Sequence, residues 1–380
     1  MNSTGLPLTL YIHIPFCVRK CPYCDFYSRP GFPVNEVDYV ARLLAELKLR
    51  RAWLHADPRP LSAIFFGGGT PSTVQADSIL TILDGVRALW PLTPDCEITL
   101  EANPESCHAD KISGWILAGI NRVSLGVQAL NDARLQRLGR PHTRNMALNA
   151  LKKLQESGLA RLNVDLIHTT PGQTLAEWHQ ELEEILACGV GHLSCYGLTL
   201  EPDTPFHRLA QQGRLILPPE DEALAFFQFT RRFLAAHGYD PYEISNFAKP
   251  GQRCRHNVNY WEFGDYLGIG ASAHGKWTDP DGQTWRTENA RELLGQPFGA
   301  PVPIPPDEAG VECLMMGLRL REGVNRERHR WIAGRDVDEA LLQELAAQDL
   351  LAVDSEQLRL TEAGTPLLDE ILLQLTRTNH

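Results

Sequence analysis

The hydrophobic positions in the first two-thirds of the chain alternate between short apolar runs, typical of strands, and segments with the 3.6-residue period of helices. The apolar runs predict six strands, at 8–14, 61–69, 96–104, 121–128, 160–172 and 191–202. The amphipathic segments predict helices at 37–54, 76–90, 110–119, 144–158 and 175–189. This alternation is typical of a parallel sheet with right-handed helical crossovers. Because six units are too few for a closed eight-stranded barrel, we expect an α/β fold with an open sheet or a partial barrel.

The alternation stops after Pro205, and the remaining pattern predicts two further regions. One amphipathic helix is predicted over 218–238, and the aromatic-rich segment 239–277 is expected to form short strands and loops. The Pro-rich segment 295–308 predicts a linker to a smaller α+β, winged-helix-like module. Its expected elements are helices at 308–320, 337–349 and 365–375 and a hairpin at 350–361. The predicted domains are 1–215, 216–304 and 305–380.

Composition and charge narrow the class of protein. The hydrophobic fraction of 43% is ordinary for a globular chain, and the formal net charge is −11. The negative charge argues against a nucleic-acid partner, since phosphate binding needs a basic face. The sequence shows no apolar run of roughly 18–20 residues and no secretory signal pattern, so we expect a cytoplasmic protein.

Three of the nine cysteines are clustered after the first predicted strand, as C-x3-C-x2-C at Cys17, Cys21 and Cys24. The other six are scattered, as expected for buried thiols in a reducing compartment. Clustered thiolates suit zinc or iron–sulfur clusters, but structural zinc needs four protein ligands. On a [4Fe–4S] cluster, three cysteines leave one iron open to a small molecule. His13, on the preceding strand, is a conceivable fourth ligand.

The segment around these cysteines resembles the radical S-adenosylmethionine (SAM) superfamily, in which C-x3-C-x2-C with an aromatic residue before the third cysteine is the characteristic signature. Further segments are similar to the oxygen-independent coproporphyrinogen III oxidase-like group, most strongly over 8–275. They are FGGGTPS, EANPE, RVSLGVQ, LGRPHT, NVDLIHTTPGQT, LTLEPDTP and RHNVNYWEFGDYLGIGASAHG. The resemblance implies an α/β fold, a partial (β/α)6 barrel of the TIM type, and a [4Fe–4S] cluster on Cys17, Cys21 and Cys24, whose open iron binds SAM.

The resemblance also implies a SAM pocket at the carboxyl ends of the strands. Gly68 and Gly69 permit a close backbone approach to a ligand. An anion at Glu101 suits the cationic sulfonium and ammonium groups of SAM, and Arg140 can pair with the SAM carboxylate. Amide and carboxylate side chains at the other strand ends can bond the ribose hydroxyls and the methionine moiety. The implied contacts are Tyr11, Tyr23, Gly68, Gly69, Thr70, Glu101, Gln128, Arg140 and Asp165.

A second motif, H-N-x-x-Y-W, contains His256, Asn257, Tyr260 and Trp261. On pattern alone these residues fit a structural core, although histidine also ligates haem iron and aromatic rings pack on a porphyrin. The motif resembles that of the HemW-type haem chaperones, and the resemblance implies haem held near His256. Cys254 is an alternative thiolate ligand. His168 and His274 are further candidates for lining the cavity.

Residue 26 separates two functions within the resembling group. The oxidases carry a further cysteine two residues after the third cluster ligand, whereas this chain has Phe26. This departure, together with a short N-terminal segment, favours the chaperone branch over oxidative decarboxylation of coproporphyrinogen III, which is kept as the alternative. The implied partners are haem and haem-accepting proteins such as respiratory enzymes, with transient association with a membrane or membrane protein. The sequence leaves the oligomeric state and the acceptor open.

Overall fold

The structure, a computed structural model, describes residues 7–31, 34–54, 57–295 and 298–377. Its first part alternates strands and helices from the first strand to the eighth. In chain order these elements are β1 (Leu8–Ile14), β2 (Phe16–Cys17), β3 (Arg29–Pro30), α1 (Glu36–Trp53), β4 (Leu61–Gly68), α2 (Ala76–Leu89), β5 (Leu92–Ala102), α3 (Ala109–Ala118), β6 (Arg122–Gln128), α4 (Asp132–Arg137), α5 (Arg144–Glu156), β7 (Arg161–His168), α6 (Leu175–Ala187) and β8 (His192–Gly197).

Six of these strands form a parallel sheet in the order β1-β4-β5-β6-β7-β8, which confirms the predicted partial barrel. Alternate residues along each strand, such as Leu10, Ile64 and Leu100, belong to the main hydrophobic core that the helices cover. Residues of the opposite strand face are often polar and buried, as Glu97 and Asn163 are. Parallel strands place their carboxyl ends at one edge, so the segments following β1, β4, β5, β6 and β7 meet there.

The sheet is extended on both sides by the segments that follow the barrel. These elements are α7 (Pro205–Gln211), α8 (Glu220–Ala236), β9 (Asp240–Pro241), β10 (Asn246–Ala248), α9 (Arg255–Trp261), β11 (Asp265–Ile269), β12 (His274–Thr278), β13 (Thr284–Glu288) and β14 (Val302–Ile304). Strand β10 pairs antiparallel with β8, and β11 pairs parallel with β1. Short strands were expected over 239–277, but that expectation was wrong for α9, which is a helix.

The C-terminal module has a hydrophobic core of its own, formed by residues such as Leu314, Leu342 and Ile371. Its elements are α10 (Pro306–Gly317), β15 (Val324–Asn325), α11 (Arg326–Ala333), α12 (Glu339–Ala347), β16 (Leu351–Val353), β17 (Gln357–Leu360) and α13 (Leu368–Thr376). The predicted order of helices and hairpin is confirmed, and α11 is an additional helix. Within the described ranges, no helix is long and apolar enough to cross a membrane.

Candidate cofactor site at the mouth of the barrel

The three clustered cysteines lie in the loop after β1, at the carboxyl edge of the sheet. All three are free thiols; Cys17 and Cys21 are buried, and Cys24 is half-buried. The Sγ atom of Cys17 lies 3.4 Å from Oγ1 of Thr70, and that of Cys21 lies 3.7 Å from Nη1 of Arg140. Burial raises the pKa of the Cys17 thiol, and it raises the pKa of Cys24 to about 11.

These cysteines fit a cluster better than a single ion. In the described part of the chain, no three His, Cys, Asp or Glu side chains converge on one position for a metal ion. Cysteine ligands of a [4Fe–4S] cluster bind different iron atoms, so they need not converge. Because the thiolate is the ligand and burial favours the thiol, nearby positive charge helps binding. The guanidinium of Arg140 supplies that charge beside Cys21.

His13 is held by two hydrogen bonds that use both ring nitrogens. Its Nε2 lies 2.9 Å from the carbonyl oxygen of Tyr27, and its Nδ1 lies 3.0 Å from the hydroxyl of Tyr11. Since the carbonyl can only accept, Nε2 carries the proton and Nδ1 accepts from Tyr11. Burial lowers the pKa of His13 to about 4, consistent with a neutral ring. This arrangement leaves no lone pair of His13 for a fourth iron ligand.

The glycine turn after β4 packs directly against the cysteine loop. Gly68 has a φ of 117°, and a Cβ at this position would lie 2.6 Å from Cε1 of His13. A Cβ at Gly69 would lie 2.6 Å from the carbonyl oxygen of Phe16. Its own N–H donates to Ile14, and that of Thr70 donates to Phe16. Only glycine allows this approach between the two loops.

Two half-buried acidic side chains, Glu101 and Asp165, lie near this turn. Glu101, near the end of β5, accepts a hydrogen bond of 3.1 Å from the N–H of Gly68. Asp165 accepts from Ser124 at 3.0 Å and from Asn163 at 2.8 Å. Burial, with the nearby charge of Asp165, raises the pKa of Glu101 to about 8, and burial also raises the pKa of Asp165. A cationic ligand between them would therefore be favoured electrostatically.

Arg140 joins the cysteine loop to the ends of β5 and β6. Its Nη2 donates to Oδ1 of Asn103 at 2.5 Å and to the carbonyl of Gly126 at 2.9 Å. Asn103 in turn donates to Oγ1 of Thr70 at 3.2 Å. Sequence reasoning did not single out Asn103, although the EANPE segment that carried the resemblance contains it. Burial alone would lower the pKa of Arg140, but the neighbouring Tyr23 and Cys21 outweigh it and the pKa is raised.

Two other predicted contacts adjoin this network, since Nε2 of Gln128 lies beside Gly126 with Asn103 and Arg140, and Tyr23 neighbours Arg140 and Cys21. Gln128 ends β6 with a φ of 65°, a conformation that costs a non-glycine residue about 1–3 kcal/mol and is concentrated at functional sites. The ring of Tyr23 packs 6.3 Å from that of Phe206. The structure thus brings most predicted SAM contacts together at one mouth. The connected residues are Tyr11, Gly68, Gly69, Thr70, Glu101, Arg140 and Asp165.

The H-N-x-x-Y-W motif forms helix α9, whose N-terminus is anchored inside the barrel by Glu97. The carboxylate of Glu97 accepts from the N–H of Arg255 at 2.9 Å and pairs with Arg161 at 2.6 Å. A negative charge at this position complements the unpaired N–H groups of the first turn. Cys254 directs its thiol to the same carboxylate, at 3.4 Å, and burial raises its pKa to about 12. That environment disfavours the thiolate that haem ligation requires.

His256 is enclosed by the barrel. It is 8% exposed, and its ring lies 4.9 Å from that of Phe65 and 6.2 Å from that of Tyr11. Burial lowers the pKa of His256 to about 4, and its buried Nδ1 has no hydrogen-bond partner within the described residues. The ring of His256 is therefore almost fully enclosed, with one ring nitrogen left without a hydrogen-bond partner among the described residues.

Trp261 faces the C-terminal module, whereas Tyr260 packs on β11 and lies near Tyr11 of β1. The guanidinium of Arg319 lies 4.5 Å from the ring of Trp261, and Tyr260 packs 4.9 Å from Tyr266. Arg328, on α11, donates to the carbonyls of Glu262 and Phe263 just beyond the end of α9. Asn257 is half-buried. The structure therefore places His256 and Tyr260 on one face of α9, both near Tyr11, and turns Trp261 toward Arg319 of the C-terminal module.

The two further candidate histidines, His168 and His274, do not lie next to each other either. His168 is buried at the end of β7, where its ring stacks on Phe226 at 6.0 Å, and burial lowers its pKa to about 4. His274 begins β12, on the far side of β1, and is exposed. Neither contacts α9 through a described hydrogen bond or ring contact.

A partial barrel with three cysteines in the loop after its first strand defines the radical SAM class. In agreement, the family model "Radical SAM superfamily" matches residues 11–185, and the model "HemN C-terminal domain" matches residues 304–367. The structure of Escherichia coli coproporphyrinogen III oxidase (HemN), a radical SAM enzyme, superposes with a TM-score of 0.79 over 99% of this chain and 92% of that chain. At 22% identity, this likeness shows the fold alone.

Closer similarity comes from curated sequences. "Heme chaperone HemW" of Escherichia coli is 41% identical over 373 residues, 96% of this chain and 97% of that protein. "Heme chaperone HemW" of Bacillus subtilis is 34% identical over 95% of this chain and 97% of that protein. The bovine mitochondrial "Radical S-adenosyl methionine domain-containing protein 1" is 34% identical over 96% of this chain and 86% of its own length. The chain belongs to the HemW family.

Proposed function

We propose that this protein is a haem chaperone that binds haem and transfers it to acceptor proteins. The observation that carries this proposal is the 41% identity to the Escherichia coli "Heme chaperone HemW" over nearly the full length of both chains. Phe26, in place of the oxidases' further cysteine, is 64% exposed at the cysteine loop and offers no ligand there. We therefore place oxidative decarboxylation second.

In this proposal Cys17, Cys21 and Cys24 hold a [4Fe–4S] cluster, which supplies one-electron chemistry toward SAM when both are bound. Thr70 and Arg140 contact two of the thiols, and they would orient the loop and offset its negative charge. Glu101 and Asp165 would bind the cationic part of SAM, because the two half-buried carboxyl groups lie near each other at the same mouth.

SAM affinity is expected to rise with pH between about 6.5 and 8. The pKa of Glu101 is about 8 without ligand, so the carboxyl is mostly protonated at neutral pH. A cation favours the carboxylate, so binding releases a proton, and affinity increases up to about tenfold per pH unit until the pKa is passed. Isothermal titration of the anaerobic protein across this range measures the slope. The Glu101→Gln variant is the control, because any pH dependence that it keeps comes from the titration of SAM itself. If wild type and variant showed the same slope, the assignment of Glu101 to SAM binding would be wrong.

Haem transfer is tested directly with the purified full-length chain. We expect a stoichiometric difference spectrum on haem titration and loss of that spectrum when an apo-haem protein is added. A parallel anaerobic assay with reduced cluster, SAM and coproporphyrinogen III should give no protoporphyrinogen IX. Formation of that product would overturn the chaperone proposal in favour of the oxidase.

The proposal also covers the localisation, the partners and the domain boundaries of the protein. We place the protein in the cytoplasm, with acceptors that include respiratory enzymes and with transient association with a membrane or membrane protein, and without a nucleic-acid partner. We further propose barrel, extension and C-terminal units at 1–215, 216–304 and 305–380. The net charge of −11 supports the absence of a nucleic-acid role.

A further inference from the structure

A chain of hydrogen-bonded polar side chains runs through the barrel and ends at Asp165. Asn163 and Asp165 are alternate residues of β7, so they share a face of the strand, and Asn163 pairs with His192 on the neighbouring strand β8. Asn163 and His192 are each 1% exposed, and Tyr242, at the far end of the chain, is fully buried. Only Asp165 is half-buried, at the cysteine mouth.

The two oxygens of the Asp165 carboxylate have separate donors. Nδ2 of Asn163 donates to Oδ1 at 2.8 Å, and the hydroxyl of Ser124 donates to Oδ2 at 3.0 Å. Nδ2 of Asn163 also donates to the Ser124 hydroxyl at 2.7 Å. Asn163 therefore acts on both oxygens, on one directly and on the other through Ser124.

The direction of each hydrogen bond follows from what its groups can donate. An ionised carboxylate only accepts, so Asn163 turns its NH2 group toward Asp165 and its Oδ1 toward His192, whose Nδ1 lies 2.5 Å away. His192 therefore donates from Nδ1, which leaves Nε2 to accept from the Tyr242 hydroxyl at 2.9 Å. Burial is the main reason that the pKa of His192 lies well below its usual value, as a neutral ring requires. From Tyr242 onward, each bond of the chain donates toward Asp165.

This chain, with Ser124, supplies the hydrogen-bond donors of Asp165. Four other titratable groups lie close enough to influence the carboxyl group electrostatically. They are Glu101 on β5, Arg122 on β6, and Cys195 and Tyr196 on β8. Within the described residues, none of the four donates a hydrogen bond to it. Burial raises the pKa of Asp165, and the hydrogen bonds from Ser124 and Asn163 oppose that shift, so the chain helps to keep the group ionised.

We propose that His192 and Asn163 are positioning residues for SAM, which fix the orientation of the Asp165 carboxylate and keep it anionic toward the cationic ligand. His192 acts through Asn163, because its donation to Oδ1 stops the amide from turning the NH2 group away from Asp165. Since both residues are 1% exposed, they act on Asp165 rather than on the ligand. The inference rests on the SAM site of the proposed function and extends it beyond the contacts that the resemblance implies.

The test is calorimetric titration of SAM into the anaerobically reconstituted full-length protein and its variants between about pH 6 and 8. Asn163→Leu removes both donors, and SAM affinity is expected to fall at least about tenfold near neutral pH. His192→Phe keeps a buried ring that cannot donate, and a loss of about three- to tenfold is expected. His192→Asn keeps an N–H group near the position of Nδ1, so its affinity should stay within about threefold of wild type.

The pH profile distinguishes positioning from a purely structural role. Without the chain the pKa of Asp165 rises, so the carboxylate is lost at a higher pH, and the affinity deficit relative to wild type grows as the pH falls. The titration of Glu101 contributes to wild type and variant alike and cancels in the ratio of their affinities. A deficit of the same size at every pH would indicate a structural role alone and overturn the inference.

His329→Phe is the matched control, because it makes the same replacement at a buried histidine of α11, in the C-terminal module. It should leave SAM affinity unchanged. Thermal melts identify any variant that misfolds, and if Asn163→Leu does so, the two His192 variants carry the test. If wild type does not bind SAM, the proposed SAM site and this inference both fail. If wild type binds SAM and His192→Phe binds it equally tightly at every pH, only the inference is wrong.

Discussion

Replacement of Cys21 by alanine is expected to abolish the iron–sulfur absorbance near about 400 nm of the anaerobically reconstituted protein, together with its bound iron. Cys21 is buried, and its thiol lies 3.7 Å from the guanidinium of Arg140, in the middle of the cysteine loop. With two thiolates left, the loop cannot hold three irons of a [4Fe–4S] cluster. Absorbance and iron analysis per chain measure the effect.

Cys188→Ala is the matched control, because this thiol is also free but ends α6, remote from the cysteine loop. It should retain iron at the wild-type level. Retention of full iron content by the Cys21 variant would refute the cluster assignment. Loss of iron by both variants would point to general instability instead.

Glu97→Ala is expected to cost about 3–5 kcal/mol in the free energy of unfolding, because it leaves buried cations without their carboxylate. Glu97 is 1% exposed and pairs with Arg161 at 2.6 Å, with Arg122 at 3.9 Å. It also accepts the N–H of Arg255 at the start of α9. Denaturant unfolding at fixed pH measures the loss.

The Lys152–Glu156 pair offers a control on the surface, where both side chains are more than 60% exposed. Glu156→Ala should change the free energy of unfolding by less than about 1 kcal/mol, because solvent screens exposed pairs. If Glu97→Ala were equally mild, Glu97 would not anchor the helix as its contacts indicate.

The barrel and the cysteine loop could be predicted from the sequence because their signals are local. Strand and helix periods appear within single segments, and Cys17, Cys21 and Cys24 lie within eight residues of one another. The contacts that connect this loop to the sheet are not local. Arg140 reaches Cys21 across 119 positions in the chain, and no pattern around either residue indicates this pairing.

Helix α9 shows why the rest could not be predicted. Its first turn is satisfied by Glu97, which lies 158 positions from Arg255, and its residues are weak helix formers. Sequence reasoning therefore read the segment as strands and loops. It also treated the motif as one cluster, whereas the helix turns His256 into the barrel and Trp261 toward Arg319.

Hydrogen bonds hold α9 at both ends, and this affects where the chain can be truncated without loss of stability. Glu97 of the barrel satisfies its first turn, and Arg328 of the C-terminal module binds the carbonyls just past its last turn. A barrel fragment that ended before α10 would lose the second clamp and expose the ring of Trp261, which Arg319 covers. The barrel and the C-terminal module match two separate family models, yet each contributes to the stability of the other through α9. Truncation between them would therefore lower the free energy of unfolding of the barrel.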